Sequence, residues 1–324
     1  MLRRILLRIG DFVFVTRPLI LIPVWSFFLL GTATPSVPWP GRDGALGYGF
    51  LCLTAIMVTA YLINQIFDRE TDLRNNKGHY LTRGIFGVRT VVLMALVAFA
   101  VASLSFQHTA DGQRVPLVLA LVLSLIYSLP PIRLCARPFV DLAANAIGYG
   151  GVAFLVGHLA VDASATRGVE RAIPYMLLVG ATFMHTTILD IDGDRATGKI
   201  TSSVMMGAKA SAWLALALAV LGLGWAAGLW LLRGEVLPAV LVGLSLPVYG
   251  RAALAHSRGI AERDRISSLT VQATTLIVTV AAAVIEPRYL LLVVPIVVAS
   301  RFYYRQRFGV SYPGITRADG ADGR

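Results

Sequence analysis

Apolar residues fall along this chain in long, nearly unbroken runs, and the polar residues gather between them. A helix needs ~20 such residues to cross a bilayer. Ten runs approach or reach that length: Phe12–Ala33, Ala45–Phe67, Thr90–Phe106, Val115–Leu129, Phe139–Ala160, Ile173–Leu189, Ala210–Leu232, Val236–Gly250, Ile266–Ile285 and Tyr289–Ser300. The fourth, eighth and tenth are short. Inside lipid a backbone must satisfy its own hydrogen bonds, so each run is predicted to be a helix. The connections leave no room for a folded soluble domain, and residues 1–324 are expected to form a single membrane domain. Residues 1–10 carry Arg3, Arg4 and Arg8 without a small-residue cleavage site, and Arg17-Pro18 interrupts the first run. They are expected to be a basic surface segment rather than a signal peptide, and residues 301–324 a basic tail.

Composition sharpens this picture. Of the 324 residues 56% are apolar and only 15% charged, with a mean hydropathy of +0.70. Soluble domains carry about 25% charge, so much of this surface must face a lipid bilayer. Disorder, a secreted disulfide scaffold and a nucleic-acid-binding domain all fit poorly. The net charge of +11 has a topological explanation. With ten spans and a cytoplasmic N-terminus, 22 of the 29 Lys and Arg fall inside and six outside, with Arg17 in the first span. That is the positive-inside bias, and it needs no nucleic acid. Nine spans would move the C-terminal five outside. The expectation is an integral protein of a bacterial inner membrane, with both termini cytoplasmic. The two cysteines, Cys52 and Cys135, show neither metal-ligand nor disulfide spacing.

With so few carboxylates, their placement is informative. The second run ends in Asn64-Gln-Ile-Phe-Asp68-Arg-Glu-Thr-Asp72, and the sixth in Asp190-Ile-Asp192-Gly-Asp194. Spacings of four put Asn64, Asp68 and Asp72 on one face of a continuing helix, and Asp190 with Asp194 on another. Solvated helix ends would explain either cluster alone. Two stacks of like charge at the same side of the membrane argue for a compensating cation, and hard oxygen ligands without His or Cys suit Mg²⁺ together with substrate phosphates. The active site is therefore expected on the cytoplasmic side. Arg17, Arg133, Arg137, Arg195 and Lys199 lie near the same side, as does Tyr127-Ser128-Leu-Pro130-Pro131-Ile-Arg133. Arginine and lysine are phosphate binders, although any one of them could simply mark topology.

The two aspartate motifs follow runs four apart, and Ser128-Leu129-Pro130 is echoed by Ser245-Leu246-Pro247. Both features suggest two parallel four-helix halves. Taken in order, Arg17-Pro18, the first aspartate motif, Tyr-Ser-x-Pro-Pro-x-Arg and the second motif resemble the UbiA-type intramembrane prenyltransferases across nearly the whole chain. The resemblance implies an all-α bundle of nine to ten spans around a central cavity. It also implies transfer of an isoprenyl chain from its diphosphate to a hydrophobic acceptor, with Mg²⁺ as cofactor. Asp68, Asp72, Asp190 and Asp194 would hold metal and diphosphate, with Asn64 orienting or ligating. Arg17, Tyr127, Ser128, Arg133 and Lys199 would contact the diphosphate. Asp141, Asn145 and Tyr149 become candidates to line the cavity.

The departures from the family pattern concern the acceptor. Relatives often carry Lys near the position of Cys135, a role that Arg137 could fill. The stretch Asn75-Asn76-Lys77-Gly78-His79 lacks the usual following proline, and Thr201-Ser202-Ser203 replaces a Thr-Leu-Pro run. His79 is a candidate proton acceptor or merely a solvated loop residue. An aromatic quinone precursor is the first expectation for the acceptor, with a lipid or tetrapyrrole next. A CDP-alcohol phosphotransferase would need an Asp-Gly…Ala-Arg…Gly…Asp pattern, which is absent. A transporter would place charge at mid-bilayer rather than at helix ends.

Overall fold

The computed structural model describes residues 2–33, 44–75 and 77–310. Arg42, Asn76, Arg317 and Arg324 lie outside them. Every predicted run lies within a helix or a closely linked set of helices, and no strand occurs among the described residues.

The first run is not one helix. α1 (Leu2–Phe14) already contains most of the expected surface segment, and α2 (Pro18–Gly31) leaves it at 44°. Pro18 lacks an N–H and disfavours helical geometry in the residue before it. Arg17 accordingly takes a left-handed φ of 56°. It therefore stands in the break between the two helices. α3 (Gly44–Phe67) ends at the first aspartate motif, followed by the short α4 (Arg69–Arg74) and α5 (His79–Thr82). Next come α6 (Val88–Phe106) and α7 (Asp111–Ser128). The fifth run is divided into α8 (Val140–Asn145), a π-helical turn over Ala146–Val152, and α9 (Ala153–His158). α10 (Ala165–Ile188) leads to the second motif on α11 (Ile191–Ala196). α12 (Ser202–Arg233) is kinked at Gly207, whose φ of 78° favours a residue without Cβ. α13 (Val236–Ser257) and α14 (Arg263–Ile285) follow. α15 (Leu290–Phe308) carries the last run past Ser300, so Arg301, Arg305 and Arg307 are helical rather than part of a tail.

Six helical segments among the described residues are long and apolar enough to cross a membrane, and the α1–α2 pair, bent by 44°, would make a seventh only if its two helices form one span. Apolar side chains point outward along them; Leu232 is 86% exposed and Leu291 77%. Such a surface needs lipid against it. The protein is an all-helical integral membrane protein.

Small residues let the helices approach closely, as is usual where lipid supplies no hydrophobic drive for packing. Ala172 and Ala181 of α10, with Ala212, Ala215, Ala219 and Ala226 of α12, are wholly buried. α2 and α9 cross reciprocally. A Cβ at Gly31 would collide with the carbonyl oxygen of Phe154, and one at Gly157 with that of Phe28. α14 packs on α2 and joins the late helices to the first. The last described helix returns its end to the aspartate side, where the Phe308 ring lies against His79, tilted by 35° with centroids 4.8 Å apart.

Candidate active site

Both aspartate motifs sit where a long helix breaks. α3 stops at Phe67 and α4 begins at Arg69, leaving Asp68 at the joint; Asp190 occupies the same place before α11. The expected continuous helices are thus interrupted, yet the four-residue spacing survives. Asp68 N–H donates to Asn64 O at 2.8 Å, Asp72 N–H to Asp68 O at 2.7 Å, and Asp194 N–H to Asp190 O at 2.9 Å. One α-like bond across each joint keeps the carboxylates on one face. Asp192 is exposed and Asp194 buried, as 200° of separation around α11 requires.

The two motif helices touch. The hydroxyls of Thr71 and Thr197 lie 3.0 Å apart, and Asn75 lies so close to Gly193 that a side chain there would strike its amide. Gly193 does not break α11; it admits the first motif beside it. Lys199 bridges the motifs, 3.5 Å from Asp68 and 3.7 Å from Asp194.

Each carboxylate faces a cation. Arg17 Nη2 donates to Asp72 Oδ2 at 3.2 Å, Arg133 Nη2 donates to Asp68 Oδ1 at 3.1 Å, and Lys77 pairs with Asp190. Asn64 Nδ2 donates to Asp68 Oδ2 at 2.8 Å and to Ser128 Oγ at 3.2 Å. Arg133 takes a left-handed φ of 45°, and its Nε is buried without a partner among the described residues. That open donor is a place for one more acceptor oxygen. Tyr127 accepts a bond from Asn145 at 2.9 Å, and the hydroxyls of Tyr61 and Tyr149 meet at 2.8 Å. Tyr127, Asn145 and Tyr149 stay partly exposed between α3, α7 and the π-helical turn.

Burial raises the carboxyl of Asp194 to about 6, opposed by Lys199 and reinforced by Asp190 and Asp68. Burial likewise raises Asp72, with Arg17 opposing and Asp68 and Asp190 adding. Burial alone would disfavour the Lys199 ammonium, but Asp68 and Asp194 outweigh it and hold its pKa above the usual lysine value. These carboxylates are crowded enough that added positive charge would relieve them. Oxygen donors without His or Cys fit Mg²⁺. Among the described residues no three potential ligands converge on one point, each carboxylate being drawn to its own cation.

Three candidates fall elsewhere. Arg137 bonds back onto its own turn, through Nε to Ile132 O at 2.6 Å and Nη2 to Pro131 O at 3.3 Å, and does not reach the cluster. Asp141 is fully buried and caps α12, accepting from Ser202 N–H at 2.9 Å and from the Ser202 hydroxyl, so it lines no cavity. His79 lies against Phe308, and its pKa is lowered to about 4 by burial and then by the fields of Arg83 and Arg17. Cys135 is buried beside Asp68, Lys199 and Arg133, and burial pushes its thiol up to about 11. Lys199 thus supplies an ammonium at the corner where Cys135 stands. Lys77 joins the cluster although no motif marks it; its place five residues after Asp72 is the available sequence signal.

An all-helical membrane bundle with two facing aspartate motifs defines the class, and the comparisons define the family. The model of the UbiA prenyltransferase family matches residues 20–270, and the chain belongs to that family. It is 28% identical over 189 residues to the bacteriochlorophyll synthase 34 kDa chain of Chloroflexus aurantiacus, covering 57% of this chain and 60% of that protein. It is 26% identical over 208 residues to the 1,4-dihydroxy-2-naphthoate octaprenyltransferase of Bacillus subtilis, covering 61% of this chain and 66% of that protein. The chain thus matches under two thirds of the length of these relatives. The solved structure of a UbiA homologue from Archaeoglobus fulgidus bound to DMAPP and Mg²⁺ superposes with a TM-score of 0.64. The match is 18% identical and covers 83% of this chain and 99% of that one. That likeness bears on the fold.

Proposed function

We propose that the protein transfers an isoprenyl group from its diphosphate to a hydrophobic acceptor within the membrane. The observation that carries this reading is the meeting of the two aspartate motifs, with Lys199 between Asp68 and Asp194. Asp68, Asp72, Asp190 and Asp194, with Asn64, would hold Mg²⁺. When bound, Mg²⁺ would neutralise charge developing on the departing diphosphate. Arg17, Lys77, Arg133 and Lys199 would exchange their carboxylates for diphosphate oxygens, with the buried Nε of Arg133 as a further donor and Ser128 positioned through Asn64. As the C–O bond to the diphosphate breaks, the allylic carbon becomes electron-poor and must meet the acceptor before water. Tyr127, Asn145 and Tyr149, partly exposed, would line the space in which the two meet.

An aromatic quinone precursor remains the first choice of acceptor, in keeping with the naphthoate in the name of the Bacillus relative. A tetrapyrrole is the second, in keeping with the Chloroflexus relative. In this reading the chain crosses the membrane ten times, with the aspartate end and both described chain ends on the cytoplasmic side of a bacterial inner membrane.

The purified protein, incubated with Mg²⁺, a labelled prenyl diphosphate and lipid extract from the source cells, should release diphosphate and yield a labelled lipid-soluble product. Mass spectrometry of that product would name the acceptor. Folded protein that neither binds prenyl diphosphate nor releases diphosphate with any fraction of the extract would overturn the reading. Thiol labelling of a cysteine introduced at the exposed position of Arg195 from outside the cell would overturn the orientation alone.

A further inference from the structure

A second charged recess lies on the far side of α5 from the aspartates, between α1, the turn after α5 and the end of α15. It measures about 490 Å³ and is lined by Arg8, Asp11, Phe12, Arg83, Arg307 and Phe308 among others. Pockets of that size ordinarily take small ligands. Its charges are unevenly matched. Asp11 is the one carboxylate in the lining among the described residues, and it is already engaged: Arg307 donates to it through Nε at 2.8 Å and Nη2 at 3.0 Å, and Tyr303 donates its hydroxyl. Arg8 has no hydrogen-bond or ion-pair partner among the described residues. Arg83 lies over the Phe308 ring at 5.2 Å and has no carboxylate partner among them. Among the described residues, two guanidinium groups therefore face the recess without a carboxylate partner.

The surface beside it is apolar. Ile5, Leu6, Ile9, Phe12 and Val13 of α1 are 46–58% exposed. At 100° per residue they share one face of the helix, while Leu7, Asp11 and Phe14 turn toward the protein. Arg8 stands at the margin of that apolar face. An amphipathic helix of this kind lies in the membrane–water interface. A free anion would use the arginines and leave the apolar strip idle; a phosphate that carries acyl chains uses both. Asp11 disfavours a multiply charged ligand, whereas a phosphodiester with one negative charge suits the two free guanidiniums.

We propose that this recess is a binding site for the headgroup phosphate of an anionic membrane phospholipid, held by Arg8 and Arg83, with its acyl chains along the exposed face of α1. Basic pockets at the membrane surface of helical bundles take such headgroups. The site is separate from the aspartate cluster, and its occupant is a component of the bilayer rather than a substrate.

Native mass spectrometry of the delipidated full chain, titrated with phosphatidylglycerol or phosphatidylcholine, tests the proposal. Phosphatidylglycerol should be retained at least about tenfold more tightly. A basic residue at an anionic surface contributes about fivefold in affinity, so Arg8→Gln and Arg83→Gln should each lower retention by about that factor. The double variant should lower it about 25-fold, with phosphatidylcholine unaffected. Arg301→Gln, exposed on α15 and outside the recess, should change nothing. If the double variant does not fold, Arg8→Gln alone decides, since no described contact depends on that side chain. Equal retention of the two lipids, or unchanged phosphatidylglycerol retention in Arg8→Gln, would overturn the site. Displacement of the lipid by equimolar glycerophosphate would overturn the lipid as its occupant and point to a soluble phosphate ester.

Discussion

The two ends of the helical bundle use the same kinds of residue to different ends. Opposite the aspartates, Arg171 Nε donates to Glu235 at 2.7 Å and its Nη2 to the backbone carbonyl of Ala33 at 2.7 Å. His158, fully buried, closes the same knot, 3.4 Å from Arg171 and 3.2 Å from Ser164 O. There the guanidinium is shared between a carboxylate and the end of α2, and the Gly31–Gly157 crossing presses the helices together beneath it. At the aspartate end Lys199 stays 3.5 Å and 3.7 Å from its two carboxylates, longer than a good charged hydrogen bond. Arg133 keeps a buried donor open. A cation whose bonds are complete holds helices in place. One with bonds to spare can exchange partners when a diphosphate arrives.

The largest effect expected from breaking this contrast is at the aspartates. Asp68→Asn and Asp194→Asn should each lower diphosphate release by roughly 10³-fold, a magnitude typical of losing fixed charge stabilisation at a reacting centre. The thermal midpoint should change little, because relief of the crowding among like-charged carboxylates offsets the weakened pairs with Arg133 and Lys199. With its carboxyl raised to about 6, Asp194 is ionised above that pH and takes a proton below it, so Mg²⁺ affinity should fall as the pH drops through 6. Near-normal turnover in either variant would remove the aspartates from the reaction. At the other end Gly157→Val forces a side chain against the Phe28 carbonyl. Overpacking of this kind costs about 1–3 kcal/mol or more, and a backbone obstacle puts this one at the upper end. Thermal unfolding would show it as a lowered midpoint, and an unchanged midpoint would mean that α2 and α9 can slide apart freely.

Smaller effects sharpen the comparison. Glu235→Gln should lower stability by about 1.5–3 kcal/mol, the usual scale for a hydrogen bond to a charged group, while turnover per folded molecule stays the same. Loss of turnover without loss of stability would give the far end a part in catalysis. Within the aspartate end, Arg133→Ala should weaken prenyl-diphosphate affinity by a similar 1.5–3 kcal/mol. Arg137→Ala should leave it nearly unchanged, since Arg137 spends its donors on Pro131 and Ile132. Calorimetric titration of the two variants would reverse that assignment if Arg137→Ala were the weaker binder.

Periodicity made the helices legible, because lipid requires every long apolar run to satisfy its own backbone. It also anticipated that Asp68 shares a face with Asp72 and Asp190 with Asp194, since one bond across each joint preserves the four-residue repeat. Local chain geometry was less accessible. Arg17-Pro18 marked an interruption, but only the left-handed φ at Arg17 shows that α1 turns aside there. The partners of Arg137, Asp141 and Lys77 depend on which loops meet, and no periodicity encodes that. Asp141 shares the fifth apolar run with the cavity candidates Asn145 and Tyr149. Its carboxylate instead satisfies the first turn of α12, sixty-one residues away.

A similarly small effect is expected at Asp192, and it separates a carboxylate site from a merely acidic helix. Asp190, Asp192 and Asp194 lie within five residues, so charge density alone would treat them alike. Geometry does not. The bond from Asp194 N–H to Asp190 O sets those two side chains on one face, where Lys77 and Lys199 meet them. Asp192 points out to solvent on the opposite side, and Gly193 is held in the helix against Asn75. Asp192→Asn removes a charge from the same short helix but none from the cluster. Diphosphate release should stay within about threefold of the unmodified protein, the change left to an exposed charge by solvent screening. If Asp192→Asn were as inactive as Asp194→Asn, the helix would have to turn about its axis during turnover, and the face defined by Lys199 would not be the working one.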